Sequence, residues 1–248
     1  MKLNYFYVIF LLVGIHTYAQ IVEPASAVNM HTFQIEMEAQ YAVQREGVQK
    51  KVAWSLPSAL FRYGILNGVE LQLNAPLIKE ELYENEHLVH KKLSKFANLQ
   101  VGAAVTLWQQ NSIIPQAALM ARMIIPVRNN QEFKGLGELI SLNFSNTFAK
   151  KWSLNYNVGF VHGTDNSNAG YYILNLLYNL NPKVHFFMEN FSDFDSSVSS
   201  QNLNAGGGYN FKGNMSIDFS VANGLNHHLF YTSVIFTWAI NTKHNKNL

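Results

Sequence analysis

The sequence predicts an all-β fold, a transmembrane up-and-down antiparallel β-barrel of about twelve strands. Three observations predict it. Segments that alternate strictly between apolar and polar residues recur along nearly the whole chain. Most are about 8–13 residues long, close to the roughly 9–11 that cross an outer membrane at a tilt. The links between them alternate tight and long, as they do when one end of a barrel carries turns and the other carries loops.

Composition agrees. Of the 248 residues only 14% are charged, against roughly 25% in soluble proteins, while 13% are aromatic. A net charge of +2 without a basic stripe excludes nucleic acid as a partner on electrostatic grounds. Without cysteine the chain can hold no disulfide, lipid-modified thiol, thiol nucleophile or cysteine metal site. At the N-terminus, MKLNYFYVIFLLVGIHTYAQ combines Lys2, an apolar run over 5–15 and the small-x-small signal Thr17-Tyr18-Ala19. This is a secretory signal peptide, residues 1–19, because the apolar run is shorter than the roughly 20 residues of a spanning helix. The barrel then covers 20–240, and 241–248 form a polar tail.

The elements follow in order. Over 33–43, Phe33, Ile35, Met37, Tyr41 and Val43 oppose Gln34, Glu36, Glu38 and Gln40. The second strand, 51–65, contains Pro57, which marks a bulge and a switch of parity. Over 69–75, Val69, Leu71 and Leu73 oppose Glu70, Gln72 and Asn74. Strands at 96–108 and 116–125 come next, then 138–148, where Ile140, Leu142 and Phe144 oppose Ser141, Asn143 and Ser145. WSLNYNVGFV at 152–161 alternates without a fault. The last five predicted strands are 170–180, 183–191, 202–211, 215–221 and 229–240.

The links decide which face meets lipid. LNG, QQNSII, AKK, NPK and KGN are tight, and REGVQKK, 76–95, 126–137, HGTDNSNA, 192–201 and ANGLNHH alternate with them as the longer class. A soluble sandwich with Greek-key connections has no reason to alternate this way. The apolar faces therefore point to lipid and the polar faces enclose a lumen. Phe148, Trp152 and Trp238 fall at the tight-turn end, where aromatic rings form an interfacial girdle. The most charged outer link, KEELYENEHLVHKK at 79–92, is expected to be a solvated loop, with a partner-binding segment or short helix as the alternative.

Parity places Glu36, Glu38, Arg62, Glu70, Arg122, Glu138, Glu189 and Asp218 inside, along a path open to solute. Arg62 and Glu70 straddle the LNG turn symmetrically and should meet, as a structural brace or as a charge filter. More acids than bases favours cations or neutral solutes over anions. Gly102, Ala104, Gly206 and Gly208 free space inside and Phe187 and Tyr171 fill some of it, giving a thin or partly plugged channel. Glu36 with Glu38, and His185 with Glu189, share faces, but no third ligand joins them, so neither a metal site nor a cofactor is predicted.

Several stretches carry a resemblance: ALFRYGILNGVELQL, LQVGAAVTLW, PQAALMARMIIP, KVHFFMENF and NLNAGGGYNFKGNMSIDFSVANGLN. Within them, Arg62-Tyr63-Gly64 before a turn and then Glu70, with Asp218 and Gly224-Leu225-Asn226 later, are the recognisable motifs. The chain resembles the Gram-negative outer-membrane barrels labelled as meta-pathway phenol-degradation proteins or simply transporters. It departs from their pattern at Pro126-Val127-Arg128, where Pro-Thr-Gly is usual, and in the tail NTKHNKNL beyond the last strand. The resemblance implies passage of small, hydrophobic or aromatic solutes across the outer membrane. The partners expected are outer-membrane lipid, the barrel-assembly machinery and a small-molecule solute; the oligomeric state stays open. Two other classes compete. A lipid-modifying enzyme would need a serine with a histidine in reach, for which His162 with Ser145 or Ser167 are the candidates. A structural or adhesive surface barrel would work through its loops.

Overall fold

The computed structural model describes residues 22–96, 98–127, 135–195, 199–211 and 213–243, with backbone alone at 92–95. The expected signal peptide, Arg128 and residues 244–248 of the tail lie outside them. Thirteen segments alternate down the chain: β1 (Thr32–Glu46), β2 (Gln49–Leu66), β3 (Val69–Glu84), β4 (His87–Phe96), β5 (Leu99–Trp108), β6 (Gln116–Ile125) and β7 (Gly137–Ala149), then β8 (Trp152–His162), β9 (Asn168–Asn179), β10 (Val184–Phe194), β11 (Ser199–Phe211), β12 (Met215–Gly224) and β13 (His228–Asn241).

Every pairing is antiparallel, and β1 closes the ring against β13 over the span from Thr32–Asn241 to Arg45–His228. β4 and β5 run in series along the same partner: Phe96 lies opposite Leu77 of β3, and Gln100 opposite Asn74. The thirteen segments are therefore twelve strands around the ring.

The wall is inside-out. Outward side chains are large, apolar and uncovered: Met188 is 55% exposed, Phe219 52% and Phe186 51%. Glu70, Glu189, Asn175 and Asn204 on the other face are fully buried. A soluble monomer rarely exposes contiguous apolar patches beyond a few hundred Å², whereas here the apolar belt encircles the wall, so its solvent is lipid. At the tight-turn end Trp108, Phe148, Trp152 and Trp238 stay exposed, and Trp152 packs on Tyr178 with ring centroids 4.6 Å apart. That is the expected girdle.

Pro57 does mark a bulge. Ser55–Ser58 of β2 faces only Gln40–Glu38 of β1 and Pro76–Ile78 of β3, so β2 carries one extra residue against both neighbours. Inward positions consequently change from odd (Ala53, Ser55) to even (Ser58, Leu60, Arg62).

Two outer links differ from expectation. REGVQKK is no loop: β1 and β2 continue to a two-residue turn at Gly47-Val48, with Gly47 at φ +55°. The 79–92 segment is neither loop nor helix but the top of a β3–β4 hairpin, turning at Asn85 and Glu86 with φ of 48° and 62°. Both central residues at positive φ is the geometry that matches the twist of paired strands. Above Leu77 the outer face of β3 turns charged, so this ribbon rises beyond the belt. Lys79 sits 4.3 Å over the Trp54 ring and 3.2 Å from Glu81, which also meets Lys91 at 3.3 Å. The Tyr83 hydroxyl donates to Glu81 at 2.9 Å, which holds that carboxylate below its ordinary range and lifts the phenol above its own. Lys50 at 3.0 Å and Arg45 at 3.3 Å likewise keep Glu86 low.

Candidate functional site: the barrel lumen

Two side-chain networks line the interior. The first is neutral except at its hub. Ser145, Asn155, Asn175, Glu189 and Asn204 are direct register neighbours on β7, β8, β9, β10 and β11. Ser145 donates to Asn155 (2.7 Å), Asn155 to Asn175 (3.0 Å) and Asn175 to Glu189 (3.0 Å), while Asn204 donates to the other Glu189 oxygen (2.6 Å). A buried carboxylate needs such donors, and the alternation of the strands delivers one amide per strand at the same height.

The second network is ionic. Arg62 donates through Nε (2.8 Å) and Nη2 (2.7 Å) to Glu70 Oε1, and its Nη1 reaches Glu36 at 3.5 Å. Gln72 donates to Glu70 at 2.5 Å and accepts from Arg122 Nε at 2.6 Å. Arg62 is 3% exposed and Glu70 not at all. The meeting across the LNG turn is therefore real, one register step off the direct pairs Arg62–Gln72 and Gly64–Glu70.

Of the other predicted lumen residues, Glu38, Glu189 and Asp218 are buried inside. Glu138 is not: it is exposed on the outer face, opposite Met123 and in step with Ile140 and Leu142. Its even parity is that of the apolar side, and it sits near the start of β7 at the loop end. Asp218 has a partner that spacing alone does not suggest. His185 Nε2 lies 2.6 Å from Asp218 Oδ1, two strands away, because the residue between them in register is Gly208. A side chain there would collide with both. The same device recurs where Phe187 covers Gly206 and Tyr171 covers Gly159. The space that Gly159, Gly206 and Gly208 free is thus filled by a neighbour's ring.

The candidates for an enzyme are engaged elsewhere. His162 Nδ1 pairs with Asn168 (2.8 Å), Ser145 belongs to the amide hoop, and Ser167 donates to Asp165 (2.6 Å).

The largest feature missing from the predicted site is the segment that precedes β1. Residues 22–31 leave β1 at its tight-turn end and cross the lumen. His31 N–H donates to Gly64 O (2.9 Å), Val28 N–H to Glu70 (2.5 Å), Ala27 N–H to Thr106 (3.0 Å) and Glu23 N–H to Asn157 (2.7 Å). Asn157 donates back to Glu23 O (3.0 Å), the Glu23 carboxylate pairs with Arg122 (2.8 Å), and Val22 N–H reaches Glu189 (3.3 Å). Val22 also packs on an apolar lumen cluster of Ile173, Phe191, Ala222, Leu229 and Tyr231. The sequence held a faint signal: VEPASAVNM does not alternate, contains a proline, and at about 3.3 Å per residue can reach roughly 30 Å. Beside the segment lies an open cavity of about 230 Å³ walled by Glu23, Glu36, Arg62, His185, Asp218 and Thr237 among others.

A closed ring of twelve antiparallel strands, apolar outside and polar within, is a transmembrane β-barrel. Residues 20–228 match the family described as "Putative MetA-pathway of phenol degradation", and the chain belongs to that family. The fold is similar to that of an outer membrane channel from Pseudomonas putida F1, at 10% identity and a TM-score of 0.61, over 88% of this chain and 100% of that one. It also resembles the KdgM porin solved with oligogalacturonate (10% identity, TM-score 0.55, 82% of this chain and 98% of that one). A third likeness is the translocator domain of the autotransporter NalP from Neisseria meningitidis (8% identity, TM-score 0.51, 86% and 88%). No curated protein matched by sequence.

Proposed function

We propose that this protein is a narrow channel for small solutes in the outer membrane, sent there by a cleaved signal peptide over 1–19 and formed by a barrel over 20–240. The observation that carries it is a lumen lined by two polar side-chain networks and enclosed by a lipid-facing belt. Such a lining serves a water-filled path, and a protein working only through its loops has no need of it. Lipid around the belt and the assembly machinery are the partners this location entails. In the open cavity, Glu23, Glu36 and Asp218 face Arg62 and His185. That surplus of acids favours cations and neutral polar solutes over anions.

Planar-bilayer recording under a KCl gradient tests the reading, together with swelling of proteoliposomes in graded neutral solutes. The expected result is a cation-leaning reversal potential and a sharp size limit. A strongly anion-selective current would remove the assigned preference, and vesicles as tight as protein-free ones would remove the channel.

A further inference from the structure

Resting on the channel reading, we infer that residues 22–30 are an intrinsic gate, a strap that closes the lumen and swings out about Gly64 to open it. The strap touches β2, β3, β5, β6, β8 and β10, and so spans the interior from wall to wall.

Its attachments suit release. Most are single hydrogen bonds from backbone N–H groups to wall side chains, with one ion pair, Glu23–Arg122. In a wet lumen such bonds exchange for water at small net cost, unlike a packed apolar core. Its apolar anchors are Val22 on its cluster and the buried Ala25. The two buried carboxylates that the strap touches keep partners without it: Glu189 keeps Asn175 and Asn204, and Glu70 keeps Arg62 and Gln72. Asn157, Thr106 and Arg122 exchange their strap contacts for water.

The pivot is built in. His31 at φ 62° turns the chain from the lumen into β1, and Met30 bridges to Gly64. Gly64 faces inward from β2, and a Cβ on it would collide with the carbonyl groups of Val28 and Asn29. Its lack of a side chain is what lets the strap lie against the wall. This gives a physical reason for the glycine of the Arg62-Tyr63-Gly64 motif, apart from the ionic network beside it.

The test compares wild type with three variants in planar bilayers and in proteoliposome swelling with arabinose. Gly64→Val expels the base of the strap without shortening the chain, and deletion of 22–30 removes it. Ala27→Cys with Thr106→Cys, in a chain that otherwise has no cysteine, locks it to β5. Heat-modifiable gel migration confirms that each barrel has folded. The expected result is a several-fold rise in unit conductance and swelling rate for both Gly64→Val and the deletion, and loss of conductance in the oxidised double-cysteine protein that dithiothreitol restores. If folded wild type, deletion and oxidised protein conduct alike, the gate is wrong and the channel stands. If no form conducts, including the deletion, gate and channel both fail.

Discussion

Replacing Glu70 with alanine leaves four donors facing one missing carboxylate: Arg62 Nε and Nη2, Gln72 Nε2 and Val28 N–H. Hydrogen bonds to a charged group contribute about 1.5–3 kcal/mol each, so a dry site would lose several times that. Two features reduce the sum. Glu36 still lies 3.5 Å from Arg62, and water from the cavity beside Arg62 can follow the deleted side chain. Breaking a buried ion pair by removing one member costs about 3–5 kcal/mol, and that is the expected loss for Glu70→Ala. Unfolding in guanidinium chloride from detergent micelles, followed by tryptophan fluorescence, measures it. The double replacement Arg62→Met with Glu70→Leu removes both charges and should recover most of the loss, since the penalty is that of a stranded guanidinium. A single replacement costing less than about 1 kcal/mol, or a double no better than the single, would refute the claim that the pair is buried and mutually dependent.

The outer ribbon has its own pH signature. Lys50 and Arg45 hold Glu86 below its ordinary value, so the stabilisation it supplies is present at neutral pH and fades as pH falls through its lowered value. Limited proteolysis should therefore cut the β3–β4 hairpin faster in strong acid than at pH 7, and Glu86→Gln should reduce that difference to the part that Glu81 supplies. Gly208→Val forces a side chain between His185 and Asp218 and should cost about 1–3 kcal/mol by overpacking. An unchanged unfolding midpoint would mean that the imidazole does not lie across this glycine.

The barrel was legible in the sequence because a period of two is a local property and lipid tolerates no other partner for the outer face. Strand parity found the ionic lumen, and the symmetric spacing about LNG found Arg62 with Glu70. Parity also corrects the one misplaced residue: Glu138 shares the phase of Ile140, and counting back from Ser141 puts it outside. The outer ribbon was hidden because its residues are charged on both faces, and charge resembles loop wherever the outer face has left the membrane. Two further features lay beyond local pattern. The His185–Asp218 contact depends on three strands aligning at Gly208, and the strap over 22–31 depends on the segment before β1 folding into a cavity that exists only after closure.

β4 has one consequence for how the molecule meets its surroundings. A closed barrel normally abolishes sheet edges, yet β4 pairs with β3 alone among the described residues, leaving a row of backbone donors and acceptors unclaimed outside the membrane. Such an edge is a template on which another chain can add a strand. The segment HLVHKKLSKF is rich in lysine, and a second copy approaching the same edge would bring like charge against like. That positive charge disfavours self-association along the one strand edge left without a second partner among the described residues.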